Sequence, residues 1–443
     1  MSNSHFKLFT GFIHWLTRLV NIEQHESKAL AWSFLYFFSL LCSYYIVRPM
    51  RDEMGIAGGV ENLQWLFSGT FILMLAAVPL FGWVSSRFPR KQFLPYVYWF
   101  FIANLLVFII LFKSNITHAY VARAFFIWAS VFNLFIVSVF WSFMTDIFNN
   151  EQAKRMFGVI AAGGTTGAIV GPTLTASLAI PIGPINLLFI SALLLGFATI
   201  CIRQLVNWSE TQKTQPSTET TQQLNNTNSD KAMGGGLFAG VVLVWRSPYL
   251  LGICLLMLLY ASLSTFLYFQ QAQIIKDNFA DSAQRTAVFA AIDLSVNILT
   301  ILLQVFFTSR LIKWLGLSWT LALIPLMLAV GFLALGFAPV LGVLITVQII
   351  RRAGNYAIMR PAREMLYVVL DREEKYKAKN FIDTVVYRGG DAVSAWIYTG
   401  MRSLGMGIAG IAWIAAPLAI VWAWLAYVLG KKQATLEKQK SKK

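Results

Sequence analysis

The chain has 443 residues, 57% of them hydrophobic and 13% charged, with a formal net charge of +16. Soluble domains run nearer ~45–50% apolar and ~25% charged, so a soluble globular class is excluded. The basic excess is no nucleic-acid footprint: lysines and arginines gather at the termini and in every second loop, the positive-inside pattern of a polytopic protein with both termini cytoplasmic.

In chain order, Phe6, Phe9, Ile13, Leu16 and Val20 recur at helical spacing with Lys7 and Arg18 opposite. Residues 1–28 are therefore expected to form an amphipathic cytoplasmic segment on the membrane surface; Lys7, His14 and Arg18 interrupt any cleavable signal. Twelve spanning helices are predicted at 29–50, 62–84, 93–112, 119–146, 157–179, 184–204, 248–275, 284–308, 317–337, 340–369, 381–402 and 404–429, each apolar stretch long enough to cross a bilayer. No ten-residue alternating segments occur, which excludes an outer-membrane barrel. Residues 207–236 are rich in Thr, Gln, Asn and Ser, a cytoplasmic linker between six-helix bundles at 29–206 and 237–430, and 431–443 form a basic cytoplasmic tail. The expected class is thus an all-α integral membrane protein. Weak correspondences between the halves (Ser86-Arg87 with Ser309-Arg310; Asn133 and Glu151 spaced like Asn355 and Glu373) point to parallel repeats of major facilitator architecture, with a midplane site between them.

Charged groups within these spans are the candidate site. A guanidinium at bilayer depth costs ~2.5–3.5 kcal/mol or more, so it faces a wet cavity or a partner. In the first span Tyr44, Arg48 and Arg51 share a face, Asp52 lies one turn after Arg48, and Pro49 predicts a kinked or broken helix. The alternative is a snorkelling cluster at the outer interface. The eighth span carries Asp293, Asn297, Thr300 and Gln304 as a polar stripe, and Gln270, Gln271 and Gln273 of the seventh serve either a polar substrate or interhelical packing. The tenth holds Arg351, Arg352, Arg360 and Arg363 with Asn355 between; Arg352, Asn355 and Arg363 are expected on one face. Four guanidiniums cannot all snorkel from one span, and a planar fork grips phosphate or carboxylate bidentately. In the fifth span Gly163, Gly167 and Gly171 read as a helix-packing ridge, or as a rocking surface.

The three cysteines (Cys42, Cys201 and Cys254) are scattered through the spans and three of the four histidines lie near the N-terminus, so no metal site or cofactor is expected. No G-x-x-x-x-G-K-[ST] occurs, so any transport draws on gradients rather than ATP hydrolysis. The chain is read as a non-enzyme whose partners are a small anionic solute and membrane lipid, with no nucleic acid.

Gly82-Trp83-Val84-Ser85-Ser86-Arg87-Phe88-Pro89-Arg90-Lys91 resembles the facilitator signature G-x-x-x-D-R-x-G-R-[KR], which implies a gating loop built on Gly82, Arg87, Arg90 and Lys91; positive-inside anchoring is the alternative. Three further runs resemble the ATP/ADP translocase family of plastids and intracellular bacteria. Tyr45-Ile46-Val47-Arg48-Pro49-Met50-Arg51-Asp52 is similar to Y-x-[IL]-[LI]-R-D-x-K-D. Phe140 to Ile147, then Glu151 to Phe157, is similar to F-W-G-F-x-N-[EQ]-I … E-A-K-R-[FL]-[FY]. Pro361 to Tyr367, then Lys377 to Asp383, is similar to P-C-K-E-M-x-Y … K-[GA]-K-x-x-I-D. The resemblance implies a divergent member that exchanges nucleotides, with Arg51 as first-span cation, Asp146 as fourth-span acid and Arg363 as tenth-span cation. Arg stands where the family has Lys at Arg51 and Arg363, and Gln270, Gln271 and Gln273 occupy the region where an acid is expected. The expected function is secondary active exchange of an organic anion, a nucleotide or another phosphorylated metabolite, with Arg48, Arg51, Asp146, Asp293, Asn297, Arg352, Asn355, Arg360 and Arg363 binding it. A proton-coupled porter for a different solute and a non-transporting sensor or scaffold are the alternatives.

Overall fold

The computed structural model describes residues 26–87, 90–114, 118–214 and 239–440, which are helical almost throughout and contain no strand. The helices are α1 (Ser27–Ala57), α2 (Leu63–Arg87), α3 (Arg90–Lys113), α4 (His118–Ile147), α5 (Asn150–Ile182), α6 (Pro184–Thr214), α7 (Ala239–Arg246), α8 (Pro248–Asn278), α9 (Ser282–Phe306), α10 (Thr308–Phe337), α11 (Leu341–Gly354), α12 (Arg360–Leu366), α13 (Arg372–Phe381), α14 (Tyr387–Ser403) and α15 (Ile408–Lys440). Among the described residues, ten helices are long and apolar enough to cross a membrane. The expected tenth span is instead two helices, α11 and α12, joined by the π turn Asn355–Met359, and the expected eleventh is α14, entered from α13 through the π turn Ile382–Val386.

Several ends differ from expectation because hydropathy marks where the chain leaves lipid, not where helical hydrogen bonding stops. α15 runs through Lys431–Lys440, where the basic tail begins, and α6 continues to Thr214 into the polar linker; both extensions lack Gly and Pro. α1 runs through Pro49 to Ala57, so of the kinked or broken helix expected there the break is absent. Gly316 (φ +69°) separates a short first segment from the rest of α10, a backbone conformation open chiefly to glycine. The amphipathic segment through residue 25 and the linker from 215 lie outside the described residues.

The described chain divides into two compact units, with boundaries inside α1 and α2. The first holds α1 to Arg51, α2 from Ala77, and α3–α6. In it α1 and α5 approach closely. A Cβ on Gly163 would lie 2.5 Å from the Phe34 carbonyl oxygen, and one on Gly171 2.7 Å from that of Cys42. The glycine ridge is thus a close backbone crossing. Ser43 and Ser191 (2.7 Å) and Tyr36 and Tyr98 (2.6 Å) share hydroxyl hydrogen bonds within the same unit. Near the start of α1, buried Glu26 accepts from Arg155 (3.0 Å) and Gln152 (2.9 Å).

The second unit holds Asp52–Ala76 and α7–α15. Here α10 packs along α15, where a Cβ on Gly430 would meet Ser318, while α8 lies against α14 and α15 and α9 against α11. The 52–76 segment is fixed by Trp65 edge-on to Trp396 (4.7 Å), by Trp396 donating to Ser68 (3.0 Å) and by Phe67 against Tyr268 (5.5 Å).

Candidate functional site

The charged core of the second unit is organised by the break between α11 and α12. Pro361 has no N–H for the carbonyl of Ala357 one turn earlier. The helix widens into the π turn, and the Thr308 hydroxyl supplies the missing donor to that carbonyl at 2.7 Å. An inserted residue rotates everything after it by roughly 100°. This corrects the expectation that Arg352 and Arg363 share a face: a straight α-helix aligns residues eleven apart, and the π turn sends them to different neighbours.

Arg352 points at α9, where its Nη2 lies 2.5 Å from the buried carboxylate of Asp293. Asn297, one turn on, is buried on the same stripe, and Asn355 is buried inside the π turn. Arg351 turns to α8, donating to Ser264 (2.7 Å) and to Gln348 (2.9 and 3.2 Å), and Gln348 in turn bonds Gln271. Gln270 donates to the Ile408 carbonyl (3.2 Å) and Gln273 to Asp277 (2.9 Å). Gln270 and Gln271 thus bond other helices, as the packing reading expects, whereas the contact of Gln273 stays within α8. Arg360 is exposed.

Arg363 is placed differently. It is buried on α12, with Nη1 2.7 Å from the thioether sulfur of Met257 and Nη2 3.5 Å from Asp383. A thioether is a weak acceptor, and 3.5 Å exceeds the ~2.7–2.9 Å of a charge-assisted hydrogen bond. Nε of Arg363, Oδ1 of Asp383 and the hydroxyl of fully buried Tyr367 have no hydrogen-bond partner among the described residues. Lys379 bonds Glu364 at 2.5 Å beside them. Asp383 enters the sequence argument only as the last residue of a motif. Its signal is an acid at the third residue of an expected span, but nothing in the spacing ties it to Arg363.

A second ion pair was not foreseen. Glu53, fully buried, takes both Nε and Nη2 of Arg285 at 2.7 Å, while Nη1 donates to the carbonyls of Phe279 (3.0 Å) and Ala280 (2.8 Å). Asp52 accepts from Tyr268 at 3.0 Å. These partners are more than two hundred residues apart, and each alone reads as an interfacial charge.

In the first unit, Arg48 lies over the Tyr45 ring (5.7 Å) and Arg51 over Phe126 (5.1 Å), cation–π distances that suit partly buried guanidiniums. Asp146 is exposed near the end of α4, and Arg87 is exposed as the last residue of α2. Only the helical backbone is described for Gly82, Arg90 and Lys91, and Phe88–Pro89 lie outside the described residues.

The family model of the Major Facilitator Superfamily matches residues 30–375. ADP,ATP carrier protein 1 of Chlamydia muridarum is 23% identical, the alignment covering 91% of this chain and 88% of that one. The protein of the same name from Chlamydia pneumoniae is 20% identical, with 94% of each covered. Among solved structures, a bacterial homologue of the iron transporter ferroportin in an inward-facing state superposes with a TM-score of 0.64 at 14% identity, covering 93% of this chain and 98% of that one. The nucleoside transporter NupG superposes with a TM-score of 0.58 at 13% identity, covering 94% and 100%. At these identities the structures speak to the fold alone. The motifs, the helical membrane fold and the family match agree: the chain is an integral membrane transporter that belongs to the Major Facilitator Superfamily, a divergent relative of the ADP,ATP carrier proteins.

Proposed function

We propose that the protein exchanges an organic anion, a nucleotide or another phosphorylated metabolite, by alternating access in the cell (inner) membrane, with both termini cytoplasmic. The observation that carries this reading is Arg363, a buried guanidinium whose Nε has no acceptor and whose Nη1 faces a thioether. A buried cation with unanswered donors is costly, and a phosphate or carboxylate oxygen is the group its fork is shaped to take. Arg352 is already matched by Asp293, so these two hold the wall of the site while Arg363 takes the charge. Arg360, exposed one turn before Arg363, adds to the attraction. A nucleotide is favoured over other anions by the relatives, which are ADP,ATP carriers.

Counterflow in proteoliposomes tests this. Vesicles preloaded with ATP, ADP, inorganic phosphate, sugar phosphates or organic acids are challenged with the labelled counterpart. Uptake that depends on the preloaded anion is expected, strongest for nucleotides, and Arg363→Met is expected to abolish it without reducing membrane insertion. Normal exchange by Arg363→Met would sink the assignment.

A further inference from the structure

Asp383 stands beside the arginine assigned to the substrate, yet binds it loosely. The separation from Nη2 of Arg363 is 3.5 Å, its Oδ1 accepts no hydrogen bond, and its side chain is one-third exposed. A structural ion pair in this unit looks otherwise, as Glu53 and Arg285 at 2.7 Å through two nitrogens show. Asp383 also has somewhere else to go. Lys379, four residues earlier in the chain, lies within electrostatic range of it, and Lys379 is shared with Glu364, the neighbour of Arg363. Exposed Arg360 is also in range of Asp383, so Arg363, Asp383, Lys379, Glu364 and Arg360 together carry one net positive charge as they stand. Asp383 sits in the π turn Ile382–Val386 and Arg363 on the helix that follows the π turn Asn355–Met359. π turns break the regular bonding ladder and recur at functional sites.

We propose that Asp383 is the internal counter-anion of Arg363, displaced toward Lys379 when an anionic substrate takes the guanidinium. The inference rests on the anion-exchange reading above and adds a residue to it. One guanidinium then serves two carboxylate- or phosphate-class ligands in turn, one internal and one carried. Between substrates the internal ligand keeps the buried cation neutralised, so the site is never left as a bare charge in low dielectric. Asp383 is therefore a positioning residue that sets affinity by competing with substrate.

The test compares wild type with Asp383→Asn, Asp383→Ser, Asp383→Glu and Arg363→Met in proteoliposomes, using labelled ATP, ADP and inorganic phosphate as the probes. Removing the competitor should lower KM for the exchanged anion roughly two- to fivefold, the scale of a partly exposed ion pair. Both Asp383→Asn and Asp383→Ser should show it, so a folding defect peculiar to one leaves the other to decide. Asp383→Glu should keep KM near wild type. Maximal exchange should fall in the neutral variants, because the unloaded site loses its counter-charge. An unchanged or raised KM in both neutral variants, with Arg363→Met inactive, overturns the counter-anion role and leaves the anion site standing. Wild-type KM in Arg363→Met overturns the anion site itself.

Discussion

Arg285 and Arg363 are guanidiniums in the same unit, buried to nearly the same extent (side chains 13% and 11% exposed), and answered in opposite ways. Every nitrogen of Arg285 has an acceptor, two from Glu53 and the third from paired backbone carbonyls. Arg363 has a sulfur, a distant carboxylate and one nitrogen with nothing. Burial alone therefore does not distinguish a structural cation from a functional one. The difference is whether the protein supplies the acceptors or leaves them for something else to supply.

The largest effect that would break this contrast is on stability. Arg285→Met leaves Glu53 buried without its partner and is expected to cost ~3–5 kcal/mol. The unfolding midpoint of the purified protein in detergent should fall accordingly. Glu53→Gln with Arg285→Met should recover most of the loss, since no charge then remains unpaired. Arg363→Met is expected to change stability by less than ~1 kcal/mol, because the desolvation cost removed with the cation roughly offsets the loss of its loose pairing with Asp383. If Arg363→Met unfolds as readily as Arg285→Met, the two arginines are alike and the contrast fails.

Arg351 offers a way to turn one class into the other. Its Nε and Nη2 are held by the Gln348 amide oxygen. Gln348→Leu strips both and is expected to cost ~1–3 kcal/mol, read from the same midpoint, with exchange reduced less than in Arg363→Met. A variant as stable as wild type would mean that buried guanidiniums here tolerate missing acceptors generally, and Arg363 would lose its distinction.

How much of this was legible in the sequence depends on the range of the interaction. The helical membrane class and the glycine ridge of α5 as a packing surface follow from local composition and period; that α1 is the helix crossing it, and that Arg351 and Arg352 stand on a different helix from Arg363, do not. The face that each arginine occupies does not, because it depends on a π turn set by Pro361 and relieved by Thr308, a residue from another helix. Pro361 itself was visible, and a proline seven residues after Gly354 signals irregular bonding, but not the direction of the rotation. Pairings such as Glu53 with Arg285 are long-range and carry no spacing signature at all. Asp383 was visible only because a motif included it.

The π turn gives the next smaller effect. Thr308→Val keeps the shape and removes the donor to the Ala357 carbonyl, for an expected loss of ~0.5–1.5 kcal/mol. Because that turn sets where Arg363 points, exchange should weaken through a raised KM rather than vanish. Equal KM in Thr308→Val and wild type would show that the turn holds its geometry without this bond, and that Pro361 alone determines the direction of Arg363.

The smallest effect concerns an ion pair with no burial behind it. Asp371, between α12 and α13, is fully exposed and accepts from Lys440 at 2.9 Å, and that hydrogen bond and charge hold its carboxyl below the usual carboxylate range. A lowered folded-state value means the pair stabilises the protein above the ordinary carboxylate range and loses that contribution as pH falls through the lowered value. Solvent screens it, so it belongs to the weakest class of ion pair. Lys440→Met should return Asp371 to ordinary titration. The unfolding midpoints of variant and wild type should differ slightly near neutrality, converge in acid, and differ less in high salt. A gap that persisted in acid or survived salt would mean that Lys440 acts through its apolar stem or the end of α15. The exposed pair would then teach nothing about charge, and the contrast between Arg285 and Arg363 would rest on buried groups alone.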